Sequence, residues 1–188
     1  MLAGGQTPLE AYRLVAERRP QAGKGLHVLF SDERHVPADS MESNYGKARP
    51  LLAALGLPED RVLRVHAELG LAEAAQRWDD DLTGFFQRGG TIPFGVLGLG
   101  ADGHTASLFS REDVERGMGC YAIPVTPPTG PARISVTPRL LKKVGHLVFV
   151  VTGSGKTEVV ERLLHQPDSL TAGLAVAGAP SVDLYYAP

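Results

Sequence analysis

Apolar residues along this chain fall into two alternating rhythms. Short unbroken runs, "LHVLF" (26–30), "VLRV" (62–65), "FGVLGLG" (94–100), "YAIPV" (121–125), "RISVT" (133–137), "HLVFVVT" (146–152) and "VDLYYA" (182–187), read as strands, several of them covered on both faces. Between them, apolar positions recur every three to four residues. The clearest such stretch is 71–88, where Leu71, Ala74, Ala75, Trp78, Leu82 and Phe85 form one stripe and Gly89-Gly90 closes the helix. Alternation of this kind predicts an α/β fold: a doubly wound, mostly parallel sheet with helices on both faces. No repeat, linker or low-complexity tract divides the chain, so residues 1–188 read as a single domain.

Helix starts are well marked. In "TPLE", Thr7 is placed to cap, Pro8 suits a first turn and Glu10 completes a capping box. Thr137-Pro138 opens a short helix, "RLLKKV", in the same way. The start of the chain is unusual, because "MLAGGQTP" opens almost directly on a glycine loop feeding a helix. Such a loop normally hangs from a strand, and the expectation is a fold lacking its first strand. Reactive loops in a doubly wound sheet gather at the carboxyl ends of the strands, and the polar clusters of this chain fall there.

Composition narrows the class. The 188 residues are 43% hydrophobic and 21% charged with a net charge of −2, which gives no electrostatic reason to expect nucleic acid or an anionic membrane as partner. A single cysteine, Cys120, excludes an internal disulfide and suits a reducing cytoplasm. No run reaches the roughly 18 apolar residues of a membrane span. The expectation is a cytoplasmic enzyme. The six histidines are scattered without ligand spacing, so no metal site is expected.

Four polar stretches carry the chemistry. "GLGADGHT" holds Gly98, Gly100 and Gly103 in the spacing of a dinucleotide fingerprint. That reading needs an acid at the end of the next strand, and "YAIPV" runs into "TPPTG" instead. A tight turn would use the same glycines, but a catalytic loop explains more: glycines admit a close ligand, His104 is a candidate general base, and Asp102 is placed to orient it. "AGGQTP" sets Gly4 and Gly5 before a helix, either as a phosphate seat or as an ordinary loop. In "SDERHVP", Asp32, Glu33 and Arg34 could hold a polyhydroxy or phosphorylated ligand or simply form an exposed loop. "VTGSGKTEVV" lacks the first P-loop glycine, since Val150 stands there, yet leaves Lys156 at a helix start suited to a phosphate monoester. Ser107 lacks a nucleophile-elbow context, which argues against a serine hydrolase.

Taken in order, "AGGQTP", "SDERHVP", "SNYGKARPLL", "GLGADGHTASLF", "RISVTPRLL" and "VTGSGKTEVV" resemble the 6-phosphogluconolactonase family over nearly the whole chain. The resemblance implies hydrolysis of a small-molecule sugar-phosphate lactone, 6-phospho-D-glucono-1,5-lactone, in the oxidative pentose phosphate pathway, without cofactor or metal. It places acid/base catalysis on His104, with Asp102 beside it and Arg34 near the substrate. Thr7 with Gly4 and Gly5, together with Arg133 and Lys156, would line the phosphate and sugar site, and Asp32, Glu33 and Gly103 complete the candidate contacts. The fold is similar to that of glucosamine-6-phosphate deaminases, which carry Asn-Glu-Pro where this chain has Ser107-Leu108-Phe109. The chain departs from the family at both ends, starting later and finishing on "VDLYYAP". A deaminase, a nicotinamide-dependent dehydrogenase and a non-catalytic sugar-phosphate sensor are the competing readings. A monomer or weak homodimer is expected.

Overall fold

A computed structural model describes residues 1–188. The central layer is parallel and built from five strands. β1 (Val28–Leu29) pairs with β3 (Val62–Leu63), while β4 (Ile92–Leu97), β7 (Val144–Thr152) and β8 (Val182–Ala187) form a second ladder in the order β4-β7-β8. The first residues of the chain join the two halves. Leu2 N–H donates to Leu29 C=O (2.8 Å) and Ser31 N–H to Leu2 C=O (2.7 Å), while the Met1 amine donates to Phe94 C=O (2.8 Å) and Val96 N–H to Met1 C=O (3.0 Å). The backbone order is therefore β3-β1-(Met1–Ala3)-β4-β7-β8.

The inner apolar runs are covered on both faces, whereas β8 is an exposed edge. Leu97, Leu147 and Phe149 are almost fully buried in the main apolar cluster, to which α3 (Leu71–Gln87), the helix that the stripe predicts, contributes Trp78 and Leu82. Gly89 ends it with φ +82°, a left-handed turn that favours glycine. On the other side of β1, α2 (Asn44–Ala54) packs Ala48 and Leu52 on Val28 and Phe30.

Two local features differ from the sequence pattern. Of the two readings of "SDERHVP", the exposed loop does not hold for Asp32–Arg34, which form β2, pairing antiparallel with β6 (Arg133–Val136), itself paired antiparallel with β5 (Ala122–Val125). Three charged residues in succession disguised this strand, because here alternation turns Asp32 and Arg34 to one face and Glu33 to the other. Thr7 does not cap α1 (Gln6–Glu17). Gly5 occupies the N-cap with no side-chain bond, and Thr7 Oγ1 instead meets Thr152 Oγ1 at 2.7 Å. Thr137 does cap the short helix α5 (Pro138–Leu141), accepting from Leu140 N–H.

α4 (Arg111–Arg116), α6 (Thr157–His165) and α7 (Thr171–Val176) complete the fold. The end of β4 feeds the glycine loop, and α7 supports it from behind: Ala172 N–H donates to Gly103 C=O at 2.9 Å. No helix is long and apolar enough to cross a membrane.

Candidate active site

Strand β4 ends at Leu97, and the next ten residues coil back on themselves. Gly100 N–H donates to His104 C=O (2.8 Å) and Gly103 N–H to Gly100 C=O (3.0 Å), so residues 100–104 close into a tight turn. Gly103 sits at φ +87°. At Gly100 the demand is for space: an added Cβ would lie 2.2 Å from His104 Nδ1 and 2.4 Å from Asp102 Oδ1. That space is filled by one contact, in which His104 Nδ1 and Asp102 Oδ1 lie 2.5 Å apart.

A carboxylate can only accept, so His104 Nδ1 carries the hydrogen and Nε2 is left as the basic nitrogen. Burial pushes the Asp102 carboxyl up, but the hydrogen bonds and charge of His104 outweigh it and hold the group below its ordinary value. Asp102 therefore stays ionised beside the imidazole. Phe109 packs on the imidazole with ring centroids 4.4 Å apart, restricting its rotation.

Facing this pair is the antiparallel sheet. Arg34 and Arg133 are register partners across β2 and β6. Arg34 Nη1 donates to Glu42 C=O at 3.0 Å, but Arg34 Nε and Arg133 Nε and Nη1 are buried without any partner. Burial lowers the Arg133 pKa, and the neighbouring Arg34 charge adds to the effect. Lys47 is lowered by burial and by Arg34 as well. Like charges on directly opposed positions are unfavourable, and unpaired buried donors cost about 1–3 kcal/mol each. Such an arrangement calls for an anion.

Asp32 and Glu33 take different parts. Asp32 Oδ2 accepts from Ser107 Oγ at 2.7 Å, tying β2 to the segment that follows the glycine turn, and Oδ1 accepts from Ser31 and Asn44. Glu33 accepts from the N–H groups of Arg34, Asn44 and Tyr45 and from Ser43 Oγ, at 2.7 to 3.1 Å. Its carboxylate closes the start of α2 and does not line the cleft, and burial raises its pKa. The ligand reading of Glu33 gives way to a structural one.

The cleft consists of two adjoining hollows of 330 and 200 Å³ that share Asp32, Arg34, His104 and Ala106. Gly4 and Gly5 line the smaller hollow, where a Cβ on Gly4 would fall 1.9 Å from Asn44 Oδ1. Asp102 and Arg133 line the larger hollow with Ser107, Phe109 and the Pro127-Pro128-Thr129 loop. Lys156 and Thr7 flank the cleft without lining it: Lys156 Nζ donates to Leu99 C=O at 2.7 Å. Gly103 supports the turn from behind, against Leu170. The sequence reading missed Asn44, which lines the smaller hollow, and the Ser107–Asp32 link. "SNYGKARPLL" contained Asn44, but only packing brings the start of α2 to the cleft. No three His, Cys, Asp or Glu side chains converge to hold a metal.

An anion-seeking cleft at the strand ends of a doubly wound sheet describes a class, and comparison with known proteins narrows it. Residues 1–182 match the family described as glucosamine-6-phosphate isomerases/6-phosphogluconolactonase, and the chain belongs to that family. It is 30% identical over 171 residues to the 6-phosphogluconolactonase of Haemophilus influenzae, covering 88% of this chain and 73% of that one. Against the 6-phosphogluconolactonase of Homo sapiens it is 39% identical over 160 residues, 82% of this chain and 62% of the human one. The crystal structure of 6-phosphogluconolactonase from Thermotoga maritima superposes with a TM-score of 0.84 at 28% identity, covering all of this chain and 84% of that one.

Proposed function

We propose that this chain hydrolyses 6-phospho-D-glucono-1,5-lactone to 6-phosphogluconate. The observation that carries the reading is the Asp102–His104 pair, 2.5 Å apart, facing the partnerless N–H groups of Arg34 and Arg133 across one cleft. The lactone carbonyl is electrophilic and the substrate brings a dianion. Both needs are met here.

His104 Nε2 takes a proton from water as the water oxygen bonds to C1, and Asp102 stabilises the imidazolium. The carbonyl electrons move onto oxygen as the tetrahedral intermediate forms. Collapse breaks the bond between C1 and the ring oxygen, and the imidazolium returns its proton to that oxygen. Contacts to the phosphate, remote from C1, supply positioning. Ser107, where a deaminase-type acid would stand, is bound to Asp32, which favours hydrolysis over ring isomerisation.

The test is the disappearance of freshly made phosphogluconolactone beside the spontaneous rate, with ammonia release from glucosamine 6-phosphate as counter-assay. His104→Asn should fold normally and lose about 10²- to 10⁴-fold in kcat, the usual weight of a positioned acid/base. Near-normal turnover by this variant would overturn the mechanism.

A further inference from the structure

The two hollows of the cleft meet at His104, and its Nδ1 is held by Asp102 at 2.5 Å, which leaves Nε2 to move a proton. The groups around it are committed. Asp32 accepts from Ser31, Asn44 and Ser107, so both of its oxygens are engaged, and the hydroxyl hydrogens of Ser31 and Ser107 are used in those bonds. Arg34 and Arg133 supply charge but no base. A single nitrogen must therefore take a proton and give it back, which suits two oxygens that lie side by side on one carbon. In lactone hydrolysis those oxygens are the attacking water and the ring oxygen, both bonded to C1. The tetrahedral intermediate carries an oxyanion, a hydroxyl, the ring oxygen and C2 on that carbon. The cyclic form of an aldohexose 6-phosphate differs only in having hydrogen where the oxyanion stands. A site complementary to the first holds the second in a reactive pose.

We propose, resting on the lactonase reading for the pose of C1, a second activity of this cleft: interconversion of the anomers of aldohexose 6-phosphates. His104 Nε2 takes the proton of the C1 hydroxyl, and the electrons of that O–H bond form the C1=O bond. The bond between C1 and the ring oxygen breaks, and its electron pair takes the proton back from the imidazolium, which gives the open aldehyde. Rotation about the C1–C2 bond turns the other face of the carbonyl to the C5 hydroxyl, and the reverse steps close the other anomer. In either anomer the C1 hydroxyl neighbours the ring oxygen, so one nitrogen reaches both. No atom is gained or lost and nothing is oxidised. Asp102, ionised, balances the charge of the imidazolium. Formation of a ketose needs a second base to take the proton from C2, and both oxygens of Asp32 are engaged, so the reaction stops at the aldehyde and its two rings.

Exchange spectroscopy on glucose 6-phosphate labelled with carbon-13 at C1 reads the anomer interconversion at equilibrium, in a dilute buffer free of phosphate. The protein should raise the exchange rate about tenfold or more above the spontaneous rate, in proportion to its concentration, and His104→Asn should return it to the spontaneous value. Unphosphorylated glucose should gain nothing, since it offers no anion to Arg34 and Arg133. Lactone hydrolysis is measured on the same samples. Spontaneous-rate exchange in a protein that hydrolyses the lactone would overturn the second activity and leave the lactonase reading standing. Accelerated exchange without lactone hydrolysis would support the second activity and overturn the lactonase reading, and a protein with neither would overturn both. Acceleration by His104→Asn equal to the parent's, or the appearance of fructose 6-phosphate, would overturn the single-nitrogen route.

Discussion

Gly100→Ala is a small change with a calculable effect. Gly100 does not occupy the left-handed region, so alanine fits its backbone, and the damage comes from the methyl group alone. That methyl would lie 2.2 Å from His104 Nδ1 and 2.4 Å from Asp102 Oδ1, whereas ordinary van der Waals contact begins at 3.4 Å. Both the imidazole and the carboxylate must withdraw, each by about an ångström, and the hydrogen bond now at 2.5 Å is disrupted. A hydrogen bond to a charged group contributes about 1.5–3 kcal/mol. If that amount stabilises the imidazolium in the transition state, kcat should fall about 10- to 100-fold, at 1.36 kcal/mol per tenfold. KM should change by less than about twofold, because Arg34 and Arg133 are untouched. The assay is initial-rate hydrolysis corrected for the spontaneous reaction, with a thermal melt to confirm the fold. Asp102→Asn should cost a similar factor, and the double variant little more than either, since both remove the same interaction. A Gly100→Ala enzyme with parental kcat, or full additivity with Asp102→Asn, would refute the account of the turn.

Two further outcomes follow from the charges. Arg133→Ala should raise KM by about tenfold or more, since it removes charge-assisted contacts, yet leave Tm unchanged or higher because the facing Arg34 loses a like-charged neighbour; an unchanged KM would remove Arg133 from the site. The Met1 amine titrates near 8.0 when unfolded and about 5 when folded, so the unfolded chain binds the extra proton between those values. Stability should therefore fall as pH drops from about 8 to about 5, by up to about 4 kcal/mol at 1.36 kcal/mol per unit. Amino-terminal acetylation should flatten that segment in chemical denaturation, and parallel curves for the two proteins would count against a buried amine.

Local pattern alone was enough for much of this molecule. The apolar runs at 94–97, 146–152 and 182–187 are bounded and could only be strands, and the stripe on 71–87 could only be a helix packed along one side, although 182–187 proved to be an exposed edge strand. The Asp102–His104 pair was legible because its members stand two residues apart inside one glycine turn, where chain connectivity forces proximity. Other features depend on contacts distant in sequence. Asp32–Arg34 looks like a polar loop until β6 lies beside it, and Arg34 meets Arg133 only through the register of that pair. Nothing near Thr7 says that Thr152 will compete for its hydroxyl, and nothing near Ser107 says that Asp32 will hold it. A hydrogen bond between neighbours in the chain is set by local dihedral choices, whereas one across the fold exists only after the sheets have chosen their order. The anion-seeking arginine pair is of the second kind, made by strand order and register.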